Sequence, residues 1–211
     1  TGTLTAQLAA RGSRVVGGGL RHMAGGGAVG LLDGKRGDIG STVDGDAEAY
    51  LADGAPLAAD AITVSPYLGF GSLQPAFDRA HRYGRGVYVL ARTSNPEGGQ
   101  VQLALCGDHE GSVAQEIIDA AKFANIESGQ GAIGLVVGGT HSDVGCDVSD
   151  FNASILVPGI GFHRDRIDDL PALFGGALNQ VLPAVSRDVI GAGPDAAALT
   201  ARVEALLGNR S

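Results

Sequence analysis

Asp33, Lys35, Arg36 and Asp38 fall within six residues in LLDGKRGDIGST (31–42), directly after two leucines. Two acids and two bases at the end of an apolar run suit a site better than a core. Side chains alternate along an extended chain, so Asp33 and Lys35 share a face. A lysine held between carboxylates stays protonated and fixed in place. It can then deliver its proton to a carbanion as a general acid. Gly34, Gly37 and Gly40 let the chain bend closely around such a group. The same spacing also describes a surface salt bridge worth at most about 1 kcal/mol, so the surrounding elements must decide.

Those elements alternate. Residues 28–33, 61–64, 86–91, 131–138, 154–160 and 179–185 are short apolar runs bounded by Gly, Pro or polar residues. Such runs predict strands of a parallel sheet covered on both faces. Between them, 42–53, 72–83, 111–127 and 164–177 read as helices, and 194–208 as a last helix opened by Pro194-Asp195. In 111–127, Val113, Ile117, Ala120 and Ala121 recur at helical spacing behind Ser112, a natural cap. Strand then helix, repeated, predicts an α/β chain, either an open doubly wound sheet or a (β/α)8 TIM-type barrel. No GxGxxG follows the first run, and GGGAVGLLDGK lacks the residues of a P-loop. Polar groups follow every run: Asp33 and Lys35, then Ser65, Thr93-Ser94-Asn95, Thr140, His163 and Ser186-Arg187. In a barrel, that end of the strands carries the active site.

Composition narrows the classes. The 211 residues, 44% hydrophobic, are enough for a single domain spanning 1–211. A net charge of −8 with no basic stripe argues against a nucleic-acid partner, although a few local cations suffice for an anionic small molecule. Two cysteines, Cys106 and Cys146, have no metal spacing, and no apolar run is long enough to cross a membrane. These features suit the cytoplasm.

DGKRGDIGST resembles the D-x-K-x-x-D signature of orotidine 5′-phosphate decarboxylases, in the bacterial subgroup with an Asp-Ala-Lys-Arg-Gly-Asp-Ile-Gly core. Three more blocks agree in order. DAITVSPYLGFGSL (60–73) resembles the family's Asn-Pro-Tyr-Leu-Gly segment with Ser65 in place of Asn. RTSNPEGGQVQ (92–102) resembles its Thr-Ser-Asn-Pro block, and VPGIG (157–161) with Ser186-Arg187 resembles the end of its barrel. The resemblance covers about residues 28–190 and implies a cofactor-free, metal-free decarboxylase of pyrimidine synthesis. It further implies a homodimer with shared active sites. Lys35 is then the proton donor to C6 of the pyrimidine, with Asp33 beside it and beside the substrate carboxylate. Asp38, Ile39 and Thr42 serve the partner's site. Ser94 reads the pyrimidine edge, Pro158 joins the substrate-binding set, and Arg187 clamps the phosphate. His163 stands where the family has a phosphate-side Gln.

The chain also departs from the family. LTAQLAARGSRVVGG (4–18) resembles its opening helix and first strand, and GGGLRHMAGGGAVGLLDG (17–34) resembles the end of the second helix running into the third strand. The first-strand Asp and the second strand with its Lys are not found. The expectation is an incomplete barrel of six clear strands and one partial one, lacking one to two N-terminal strands. Either residues near Gly17–Leu20 are missing, or the chain is a shortened paralogue. Two other readings stand beside the decarboxylase: an impaired homologue that binds a nucleotide or phosphate ester, and a Mg²⁺-dependent sugar-phosphate lyase of the same suprafamily. The intact Thr-Ser-Asn-Pro block argues against the lyase.

Overall fold

The computed structural model describes residues 2–106, 111–140, 143–160 and 167–208. Six strands, β1 (Leu31–Arg36), β2 (Ala61–Val64), β3 (Gly86–Arg92), β4 (Ile133–Val137), β5 (Ile155–Pro158) and β6 (Val181–Ala184), pair in parallel and in chain order. The helices are α1 (Gly2–Gly25), α2 (Gly40–Leu51), α3 (Gln74–Tyr83), α4 (Gly99–Gln102), α5 (Val113–Ser128), α6 (Leu170–Phe174), α7 (Arg187–Ile190) and α8 (Ala196–Gly208). Among the described residues, no helix is long and apolar enough to cross a membrane.

The continuous apolar runs are explained by layers on both faces of the sheet. Every residue of β2 and of β4 is buried. On the outer face Ile62, Val64, Val87, Val89, Leu135 and Ile155 pack against helices. Val43, Ala47 and Leu51 of α2 meet them at a spacing of four, as do Phe77 of α3 and Ile118 of α5. The inner face is smaller, with Ala61, Tyr88 and Val136 joined by Leu31, Leu90 and Leu156. Local signals set the helix ends. The Ser112 hydroxyl accepts from the Gln115 amide at 3.3 Å, and Gly129, with φ of 64°, ends α5. Asp195 caps α8 by accepting from the Ala198 amide at 3.0 Å.

Several boundaries differ from the sequence-based expectation. The partial first strand in 4–18 does not form, because α1 runs unbroken through Gly17–Leu20. Two valines are too short a run to override the helix-forming Leu, Ala, Gln and Arg before them, and Val15 is exposed. The sheet thus has six strands among the described residues. β1 begins later than expected and extends through Arg36. Of the expected helix 164–177, the described part is the short α6 and a 3₁₀ turn over Gly175–Gln180, since Pro171 and the Gly175-Gly176 pair do not favour a longer α-helix. Arg187 opens a short helix rather than sitting in a strand-end loop.

Candidate functional site

A cleft of about 690 Å³ opens at the carboxyl ends of the strands. Its lining includes Asp33 and Lys35 on β1, Leu90, Thr93, Ser94 and Asn95 at β3, Pro158 and Ile160 at β5, and Ser186, Arg187 and Asp188 after β6. The outermost strands β1 and β6 therefore contribute to one cavity, which requires the sheet to curl into a half-barrel. Both irregularities in the ladders beside the cleft lie at its rim, between Leu32 and Arg36 on β1 and between Leu90 and Arg92 on β3. Such bulges re-aim side chains at sites.

The β1 irregularity creates the charged pair. Leu32 pairs with Ile62 and Arg36 with Val64, so Asp33, Gly34 and Lys35 stand opposite Thr63 alone. Lys35 has φ of 47°, the one positive value among described residues other than glycine. Its Nζ donates to Asp33 Oδ2, and both side chains are about half exposed into the cleft. The Thr63 hydroxyl accepts from the Lys35 amide at 3.0 Å and donates to Asp33 Oδ1 at 2.8 Å. Gly37 lets the turn close, since a Cβ there would sit 2.3 Å from the Ser65 carbonyl oxygen. Arg36 faces the other way. It donates to the Tyr50 hydroxyl at 2.7 Å and lies 5.4 Å from that ring's centre. The hydroxyl contact raises its pKa, and the residue ties β1 to α2.

The middle of the cleft is a braced loop. Thr140 donates its hydroxyl to the Ser94 carbonyl at 2.7 Å. Gly138 packs so closely that a Cβ would lie 2.5 Å from the Ser94 Cα. Gln102 Oε1 accepts from the Thr93 amide at 3.0 Å and from Arg92 at 3.1 Å, under the loop that presents Ser94. Neither cysteine lines the cleft. Burial pushes the Cys146 thiol up to about 11, away from nucleophilic use.

At the far end, Arg187 and Asp188 line the cleft from the first turn of α7. Asp188 is engaged by Arg202 of α8, at 2.8 Å from Nε and 2.5 Å from a terminal nitrogen. This acid beside the expected phosphate clamp is thereby matched by a second arginine.

The structure thus brings together Asp33, Lys35, Ser94, Pro158 and Arg187 of the expected site residues. Asp38, Ile39 and Thr42 are not in the lining. Asp38 accepts from the Ile39 amide at 2.8 Å, while Ile39 and Thr42 are exposed at the start of α2. His163 lies outside the described residues. Sequence reasoning gave no role to Thr63, Gln102, Asp188 or Arg202. Thr63 and Gln102 lay inside matched blocks and could have been flagged as polar residues in apolar surroundings. The Asp188–Arg202 pair has no sequence signal, because it depends on how α8 folds back. Among the described residues no cluster of three or more His, Cys, Asp or Glu side chains is arranged to hold a metal.

Comparison with known proteins follows the same outline. Residues 18–201 match the family model described as orotidine 5′-phosphate decarboxylase / HUMPS family. The chain is 47% identical over 202 residues to orotidine 5′-phosphate decarboxylase of Salinispora arenicola, covering 95% of this chain and 72% of the relative. It superimposes with a TM-score of 0.91, at 42% identity, on the crystal structure of a proposed orotidine 5′-phosphate decarboxylase from Streptomyces avermitilis, covering 97% of this chain and 72% of that one. Leishmania donovani OMP decarboxylase gives 0.75 at 29% identity, over 98% of this chain and 78% of that one.

Proposed function

The chain belongs to the orotidine 5′-phosphate decarboxylase / HUMPS family, and on that premise we propose how its cleft works. The protein is a carboxy-lyase that converts orotidine 5′-phosphate to uridine 5′-phosphate in pyrimidine biosynthesis. The observation that carries the assignment of roles is one cleft lined by an Asp33–Lys35 pair at one wall and Arg187 at the other. The substrate has matching ends, a carboxylate on the pyrimidine and a phosphate on the ribose.

Arg187 takes the phosphate and Ser94 reads the pyrimidine edge, with Pro158 beside the ring. This directs C6 and its carboxylate towards Asp33 and Lys35. Two like charges about 4 Å apart repel by about 4 kcal/mol at an effective dielectric of 20, so Asp33 destabilises the bound carboxylate. The C6–carboxyl bond breaks, CO₂ departs, and the electron pair remains on C6. The Lys35 ammonium stabilises that charge as it forms and then gives its proton to C6. Repulsion alone is too small for the full acceleration. Binding energy from the remote phosphate holds the reacting centre in place and adds to it. Asp38, Ile39 and Thr42 lie outside their own cleft, which supports their acting across a two-fold dimer interface in the partner's site. His163 is assigned to the phosphate end as the counterpart of the family's Gln.

The test is decarboxylation of orotidine 5′-phosphate, followed by ultraviolet absorbance with EDTA present. Turnover unaffected by the chelator is the expected result. Turnover that stops on chelation moves the protein to the metal-dependent lyases, and no turnover at any substrate concentration overturns the assignment.

A further inference from the structure

The catalytic pair is held by a residue outside the cleft. Thr63 is 1% exposed, lies on β2 and is absent from the cleft lining. β2 alternates, with Ile62 and Val64 in the outer core and Ala61 in the inner cluster, so Thr63 belongs to the inner face beneath β1. There its hydroxyl replaces the ladder partner that the bulge removes. It accepts from the Lys35 amide at 3.0 Å and donates to Asp33 Oδ1 at 2.8 Å. One oxygen therefore does two things. It fixes the backbone of a lysine held at φ of 47°, and it occupies one carboxylate oxygen so that the other, Oδ2, faces the ammonium.

We propose that Thr63 is a positioning residue for decarboxylation, setting the relative placement of the Asp33 carboxylate and the Lys35 ammonium through a single buried hydroxyl. An apolar residue of the same shape would leave a backbone N–H and a carboxylate oxygen without their partner. Lys35 could then relax from its left-handed conformation, and Asp33 could rotate. Both changes displace charge at the reacting carbon while leaving the phosphate end, on the opposite edge of the sheet, untouched.

This proposal rests on the assignment of Lys35 and Asp33 given above, so its test separates the two. Thr63→Val, Thr63→Ser and Lys35→Ala are compared with wild type for kcat, KM, uridine 5′-phosphate affinity and thermal midpoint. Thr63→Val is expected to lower kcat about 10- to 150-fold, the range for a lost bond to a charged group. KM and product affinity should stay within about twofold, because Arg187 is undisturbed. Thr63→Ser, which keeps the hydroxyl, should recover most of kcat. A folded Thr63→Val with near wild-type kcat overturns the positioning role and leaves the Lys35 assignment standing. A Thr63→Ser as slow as Thr63→Val overturns it too, since the methyl group and not the hydroxyl would then matter. A Lys35→Ala with near wild-type kcat instead overturns the underlying assignment. Should Thr63→Val fail to fold, Thr63→Ala and Thr63→Ser are compared by the same ratio of kcat to KM effects.

Discussion

At the β1 end of the cleft, Asp33 and Lys35 are held by the backbone. A bulge places three residues opposite one, a lysine adopts φ of 47°, and the buried Thr63 hydroxyl fastens both. At the β6 end, Arg187 sits on a single helical turn whose neighbour Asp188 is engaged by Arg202 from α8. α8 itself has no buried residue. The first arrangement is anchored in the sheet and the second in a partly buried ion pair between two terminal helices. The difference fits the two tasks proposed for them. Chemistry at C6 would depend on closely placed charge, whereas a phosphate is a large anion that would tolerate small shifts in its clamp.

The largest expected effect lies at the β1 end. Lys35→Ala should reduce kcat by on the order of 10⁴ or more, because proton donation and charge stabilisation are lost together. Product affinity, measured by calorimetry with uridine 5′-phosphate, should change little. A near wild-type kcat would remove Lys35 from the mechanism.

Arg187→Ala should act on binding. Loss of a charge-assisted bond of roughly 1.5–3 kcal/mol corresponds to about a 10- to 150-fold weaker affinity for the phosphorylated ligand. Affinity for uridine, which has no phosphate, should hardly move. Equal losses for nucleoside and nucleotide would show that the two ends of the cleft are not divided as described.

Subunit mixing tests whether Asp38 belongs to neither end of its own cleft. Lys35→Ala and Asp38→Ala proteins, each inactive, should regain roughly a quarter of wild-type activity when mixed. Random exchange makes about half the dimers mixed, and each mixed dimer has one site with both lesions and one with none. Activity that stays at the level of the separate variants after verified exchange would assign Asp38 to its own subunit.

The smallest effect is expected for Arg202→Ala. It should weaken phosphate-ester binding about two- to fivefold, the upper part of the range for an ion pair that keeps contact with water, with kcat unchanged. The wild-type advantage should shrink at about 1 M salt, where the Debye length is about 3 Å. An effect on kcat rather than KM would mean that the β6 end also governs the chemistry.

The strand-and-helix order was legible in the sequence because each element carries its own signal. β2 was read residue for residue from AITV, and α5 from Ser112 and its helical spacing, since a run buried on both sides is apolar throughout and a cap is local chemistry. That Asp33, Lys35, Ser94, Pro158 and Arg187 would share one cleft was legible for a different reason: short blocks around each residue resemble a family. The 4–18 strand was misread because two valines suggested a run that the helix absorbed. Only the tertiary structure decided how those residues meet. The curl that brings β1 and β6 to one cavity, the bulge opposite Thr63, and the return of Arg202 to Asp188 are relations between segments about 14 to 150 residues apart in the chain. Sequence periodicity reports what a segment buries, and not which distant segment buries it, because pairing and register arise from packing that forms only when the whole sheet closes on its core.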